Sequence, residues 1–205
     1  MKILPILTGA LLLLLLSGCE KPEPVTYTIP KEDRNVSMPG QGTEPGPAPE
    51  PGKMQVLPGM EEAAQAAPGF TYTVPESWEE FPAKSVRKAN FRVSDDSGNA
   101  EITVTVFPGD VGGTLANVNR WRSQIGLEAI GSEELGSISR EIVISAHNGL
   151  LVDLQGPGQS ILGGILSFHG STWFFKMQGA KGTVATEAQS MDEFLASVRI
   201  EDHHH

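Results

Sequence analysis

IVISAHNGLLVDLQGPGQSILGGILSFHGSTWFFKM, residues 142–177, holds four short apolar runs separated by turn residues. Runs 142–146 and 150–154 flank His147-Asn148-Gly149, and Asn-Gly is a strong short hairpin signal. Runs 161–168 and 172–177 flank His169-Gly170-Ser171 in the same manner. Two hairpins in succession predict an antiparallel meander.

Upstream, residues 101–107 read Ile102-Thr103-Val104-Thr105-Val106 with period two, the pattern of a half-buried strand. Residues 89–93 place Phe91 and Val93 on one face, and residues 95–99, DDSGN, join these two strands as a hairpin loop. Residues 70–74 alternate as well. Two helical patterns interrupt the strands. Over 114–125, with Thr114 as N-cap, Leu115, Val118, Trp121 and Ile125 make one apolar stripe. Over 184–198, Val184, Ala188, Met191, Phe194, Leu195 and Val198 make another. Hairpin strands with helices inserted between and after them predict an α+β domain, an antiparallel sheet meander with two packed helices, over residues 70–200. About 130 residues suffice for one hydrophobic core and not for two.

The N-terminal third has a different character. Lys2 precedes an apolar segment, residues 3–16, that ends in six leucines, and Leu16-Ser17-Gly18-Cys19 follows. A basic residue, a short apolar core and small residues before a cysteine read as a lipoprotein signal peptide over 1–18, with Cys19 as the lipidated residue. The segment is short for a spanning helix, which needs about 20 apolar residues. Cys19 is the only cysteine of the chain. Its alkylation would leave no thiol for a disulfide, a metal or a nucleophile. With Glu20 rather than aspartate next to it, the expected address is the outer membrane facing the periplasm rather than the inner membrane.

Residues 19–69 read as a tether. Ten of the fifteen prolines fall between Glu20 and Gly69, with no Phe or Trp. The segment GQGTEPGPAPEPG, residues 40–52, lacks the donors and the backbone stiffness for helix or ladder. Two islands interrupt it. VTYTIP at 25–30 echoes FTYTVP at 70–75, either as a short docking strand or by coincidence, and residues 54–67 have the composition of a short Ala-rich helix. Residues 201–205 read as a tail, and His203-His204-His205 is either a nickel- or zinc-binding run or else a tag remnant or frayed end. The formal net charge is −10, which argues against nucleic acid as a partner.

The strand 173–177, WFFKM, followed by the helix end 194–200, FLASVRI, resembles the close of PsbP/Mog1-like domains. The opening YTVPESW, residues 72–78, is similar to their first strand and Pro-x-x-Trp turn. FPGDVGGTLANVNRWR, residues 107–122, resembles a motif of uncharacterised lipoproteins of planctomycete and verrucomicrobial type. The resemblance covers about two-thirds of the chain. It implies an α/β/α sandwich and a lipidated location, in a fold group that serves mostly for binding or assembly. Fold alone does not assign function.

The Gly-rich strand-to-helix turn 108–114 is the candidate ligand site. Backbone amides at a helix start attract anions, and Gly112-Gly113 would admit a ligand closely, with Asp110 beside them. A turn that needs positive φ explains the same glycines. On the helix behind it Asn117, Arg120 and Gln124 project opposite the apolar stripe, either as a row of ligand-binding groups or as a solvated face. Asn119 and Arg122 lie nearer the apolar side, where Arg122 would meet a buried carboxylate. His147 and His169 fall at turns on the same end of the sheet, as a two-histidine metal site or as exposed turn residues. Ser167 and His169 are close on a strand end without an activating group. No catalytic motif is present, and no cofactor or metal is expected.

These features predict a membrane-anchored, non-enzymatic binding or scaffolding module of the cell envelope, held by lipid on Cys19 and partnered by an envelope protein complex. The alternative is a periplasmic small-ligand-binding protein or enzyme with its site at 108–120. A purely structural envelope protein is a third reading.

Overall fold

The structure, a computed structural model, describes residues 59–201. The signal-type segment, Cys19, the Pro-rich stretch, the 25–30 echo and the histidine tail lie outside the described residues.

The strands are β1 Phe70–Thr71, β2 Glu79–Phe81, β3 Arg87–Asp95, β4 Gly98–Pro108, β5 Ser139–Ile144, β6 His147–Gln155, β7 Gln159–Phe168, β8 Ser171–Ala180 and β9 Arg199–Ile200. The helices are α1 Met60–Ala66, α2 Gly113–Gln124, α3 Ser132–Leu135, α4 Lys181–Thr186 and α5 Ala188–Ser197. Seven strands form one antiparallel sheet in the order β2-β3-β4-β8-β7-β6-β5, while β1 pairs with β9. Two meanders therefore meet at the centre, where β4 joins β8 with Ile102 opposite Met177 and Val104 opposite Phe175. Helices α2 and α3 carry the chain from β4 to the far edge strand β5.

Successive strand residues point to opposite faces, and β8 shows what each face meets. Phe175 lies 6.4 Å from Phe194 of α5, whereas its neighbour Phe174 lies 5.8 Å from Trp121 of α2. On β7, a Cβ on Gly163 would sit 2.2 Å from Trp121, and one on Gly164 would sit 3.3 Å from Leu195. The sheet is thus sandwiched, with α2 on one face and α5 on the other. The α5 side carries an aromatic cluster in which Phe194 contacts Phe91, Trp78 and Tyr72 at 5.4, 5.2 and 5.7 Å.

The α+β class and the antiparallel sheet stand as the strand patterns indicate, and four local expectations change. The 142–154 hairpin turns at Ser145-Ala146, both with positive φ, and not at Asn148-Gly149. Gly149 lies within β6, where a Cβ would press on the Ile165 carbonyl at 2.9 Å and on Ile144 at 3.2 Å; glycine is there for packing. Thr114 is inside α2, whose N-cap is Gly112. The helix expected over 184–198 is broken at Glu187 into α4 and α5. Helix α1 lies within the stretch read as tether, yet it packs on β3 and β4 with Ala64 only 2% exposed. The Lys88 ammonium clamps it by donating to the carbonyls of Ala64 and Ala67 at 3.3 and 3.2 Å. The folded part therefore begins before Phe70.

Candidate functional site

Val111, Gly112 and Gly113 of the 108–114 turn all adopt left-handed backbone, with φ of 48, 86 and 81°. A Cβ on Gly113 would meet nothing within 4 Å, so the glycine supplies a φ rather than a close approach. Asp110 closes the turn on itself, its carboxylate accepting from Gly112 N–H at 3.2 Å and its carbonyl from Gly113 N–H at 3.0 Å. Asn117 is not presented to solvent. It is 1% exposed, and its amide donates to the carbonyls of Val111 and Gly113 at 3.1 and 2.8 Å. Arg120 donates to the Asn117 side-chain oxygen, and Gln124 accepts from Lys176 at 3.0 Å. The expected row of ligand groups is thus divided: two members lock the turn, and the third belongs to another face.

Asn119 holds the loop after α2, exchanging hydrogen bonds with both the N–H and the carbonyl of Ile130 at 2.8 and 2.9 Å. Arg122 donates to the Glu128 backbone carbonyl at 2.6 Å, so its partner is a carbonyl and not a buried carboxylate. The rings of His147 and His169 both flank Phe168, at 4.8 and 4.3 Å. The two histidines do share one end of the sheet. Among the described residues, however, no three His, Cys, Asp or Glu side chains are grouped to hold a metal ion. Ser167 is exposed at the end of β7.

Among the described residues, no helix covers the part of the α2-side face that lies beyond Trp121. Trp121 covers β7 and β8, and beyond it a shallow trench of about 700 Å³ crosses β2, β3, β4, β8 and β7. Its side chains include Glu79, Phe81, Arg92, Glu101, Gln159 and Gln178, and every lining residue belongs to a strand. Arg92 clamps Glu79 with two bonds of 2.9 and 2.8 Å, and Arg87 pairs with Glu101. A register shift between Arg87 and Ala89 is the β-bulge that brings Arg87 onto this face.

Lys176 stands at the border between the part under Trp121 and the trench. Its ammonium donates to Gln124 and Gln178 side-chain oxygens, both at 3.0 Å, and no carboxylate among the described residues lies within ion-pair distance. Burial pushes its pKa down to about 8, helped by the nearby Arg87 charge and opposed by Glu101. Gln178 in turn donates to Gln159 at 3.1 Å. These residues carried a signal in the sequence. Asn90-Arg92-Ser94, Asn99-Glu101-Thr103 and Lys176-Gln178 are the alternate polar positions of three strands, and only the β4–β8 pairing shows that they share one surface.

On the other side of the domain Glu187, 6% exposed, accepts from Ser77 Oγ and Trp78 Nε1, both at 2.9 Å. It ties the Pro75–Trp78 turn to the α4–α5 break.

No family model matches the sequence, and no curated protein matches it either. Solved structures do show likeness. LpqN of Mycobacterium tuberculosis, described as involved in cell envelope biogenesis, aligns with a TM-score of 0.45 at 11% identity, over 66% of this chain and 85% of that one. The solution structure of the cyanobacterial PsbP (CyanoP) from Synechocystis aligns with a TM-score of 0.42 at 12% identity, over 65% and 87%. A protein of Bacteroides thetaiotaomicron aligns with a TM-score of 0.39 at 14% identity, over 65% of this chain and 46% of its own length. These are likenesses of fold, and no function follows from them.

Proposed function

We propose that the chain is a lipid-anchored protein of the cell envelope whose domain is a binding or scaffolding module rather than an enzyme. The observation that carries this reading is the part of the sheet that no helix among the described residues covers. A broad, shallow face lined by fixed polar side chains suits recognition of a surface or an extended ligand, whereas reaction chemistry favours an enclosed site. The Gly-rich turn offers less to a ligand, because Asp110 and Asn117 are committed to its own backbone. The anchor is the lipid on Cys19, and Glu20 favours the outer membrane, facing the periplasm. The acidic balance of the chain repels nucleic acid.

The test is made on the full chain in a bacterial envelope. The unaltered protein takes up labelled palmitate and sediments with the outer membrane, and it cross-links to an envelope component. Cys19→Ala abolishes the label and releases the protein from the membrane. A label that persists in Cys19→Ala, or an unaltered chain that is never labelled, would sink the anchor; recovery of the free protein alone after cross-linking counts against the scaffold.

A further inference from the structure

The trench has the chemistry of a saccharide site, and we propose that it binds a short, hydroxyl-rich oligosaccharide laid across the strands. This rests on the reading of the domain as a binding module and names the ligand class for the same face.

Four observations select the class. First, β4 and β8, which run through the middle of the lining, are interior strands paired on both sides along it. A peptide cannot add to them as a further strand. Second, Phe81 is the one large apolar side chain in the lining, so acyl chains and apolar peptides gain little burial. Third, Glu79 is matched by Arg92 and Glu101 by Arg87. The face therefore offers a polyanion no cationic stripe, only the single Lys176 charge behind Gln178. Fourth, the polar groups of the lining are planar: two carboxamides, and a guanidinium and two carboxylates whose ion pairs still leave further N–H donors and oxygen lone pairs for hydroxyls. Ser94 and Asn99 add further hydrogen-bonding groups.

These groups are held ready. Gln178 is fixed at both ends, its oxygen by Lys176 and its nitrogen by the Gln159 oxygen. That leaves the second Gln178 N–H and the Gln159 amide nitrogen without partners among the described residues. The Lys176 charge polarises this chain and strengthens the donors at its end. Such pre-organisation lowers the ordering cost of binding. The trench crosses five strands, about 19 Å at ~4.8 Å per strand gap, room for several sugar rings.

Calorimetric titration of the full chain tests it, with the β-1,4-linked tetramers of N-acetylglucosamine and of glucose as probes and a tetra-alanine peptide and inorganic phosphate as controls. Saturable heat is expected with at least one tetramer and with neither control. Gln159→Ala/Gln178→Ala should weaken binding tenfold or more, and Arg140→Ala, on the α5 side, should leave it unchanged. Should the double variant lose its fold, amide shifts in the unaltered chain replace it, expected to cluster at Arg92, Glu101, Gln159 and Gln178. No saturable heat in the millimolar range, heat with a control alone, an unaffected double variant, or shifts elsewhere would each overturn the proposal. A chain that is lipidated and cross-links in the envelope yet ignores both tetramers overturns the saccharide assignment and leaves the envelope role standing.

Discussion

At the scale of single residues, Glu187 and Lys176 each place an ionisable side chain among neutral partners, with opposite consequences. Glu187 receives both the Trp78 indole N–H and the Ser77 hydroxyl on one oxygen. Glu187→Gln keeps an acceptor there and should cost under about 1 kcal/mol, while Glu187→Ala strands the buried Trp78 N–H and should cost about 1–3 kcal/mol in urea unfolding. Equal effects would mean that volume, and not the acceptor, matters at this site. Lys176 titrates near 8 in the folded chain, below the usual lysine range, because it is desolvated and faces Arg87. Between pH 8 and 10 the unfolded chain holds this proton more tightly, so stability rises with pH, by at most about 3 kcal/mol. Tyr72 acts in the opposite sense. Burial, with a hydrogen bond to Glu80, pushes its phenol well above the usual range, so stability falls above pH 10 as the unfolded chain ionises. Unfolding followed against pH should therefore show a maximum near pH 10. Lys176→Met should remove the rise and Tyr72→Phe the alkaline fall. None of this was legible beforehand, because Lys176 meets Gln124 and Glu187 meets Trp78 only through contacts distant in sequence.

At the scale of elements, legibility depended on whether a local signal had a single physical cause. The 159–180 hairpin turns at His169-Gly170 as its sequence indicates, since both positions take positive φ and no packing demand competes there. In the neighbouring hairpin Asn148-Gly149 looks like the better turn, but the buried Ile144 opposite His147 sets the register and Gly149 is needed under Ile144 and the Ile165 carbonyl. A glycine that marks close packing and one that marks a turn look alike in a sequence. The same ambiguity hid Gly163 and Gly164, a pair that reports on both layers of the sandwich. Gly163→Ala forces its methyl into the Trp121 ring and should lift α2, costing about 3 kcal/mol. Gly164→Ala meets the flexible end of Leu195 at 3.3 Å and the Phe175 Cβ at an ordinary 3.5 Å, and should cost about 1 kcal/mol or less. Thermal unfolding of the two variants measures the difference. Comparable losses would contradict helices on opposite faces.

At the scale of the whole molecule, the question is where the stretch read as tether ends and the folded body begins. Composition draws that border at Phe70, because prolines run up to Pro68 and the first strand-like alternation starts two residues later. Packing draws it at least ten residues earlier. Helix α1 is too short to be stable alone, as isolated helices of under about 12 residues are marginal in water, so its persistence depends on the sheet. Ala64 is buried against the core, Ser85 donates to Glu61, and Lys88 holds the carbonyls at the helix end. A helix read as tether would tolerate any polar substitution, whereas a docked one would not. Ala64→Glu should therefore destabilise the domain by about 2–4 kcal/mol through an unpaired buried charge, while Glu62→Ala on the exposed side stays within about 0.5 kcal/mol. Lys88→Met should fall between them, since it keeps the aliphatic stem and loses only the carbonyl clamp. The readout is the urea midpoint of the full chain, followed by a signal from the sheet rather than from the helix. If α1 belongs to the body, Ala64→Glu shifts the sheet transition itself; if it belongs to the stretch read as tether, that transition does not move.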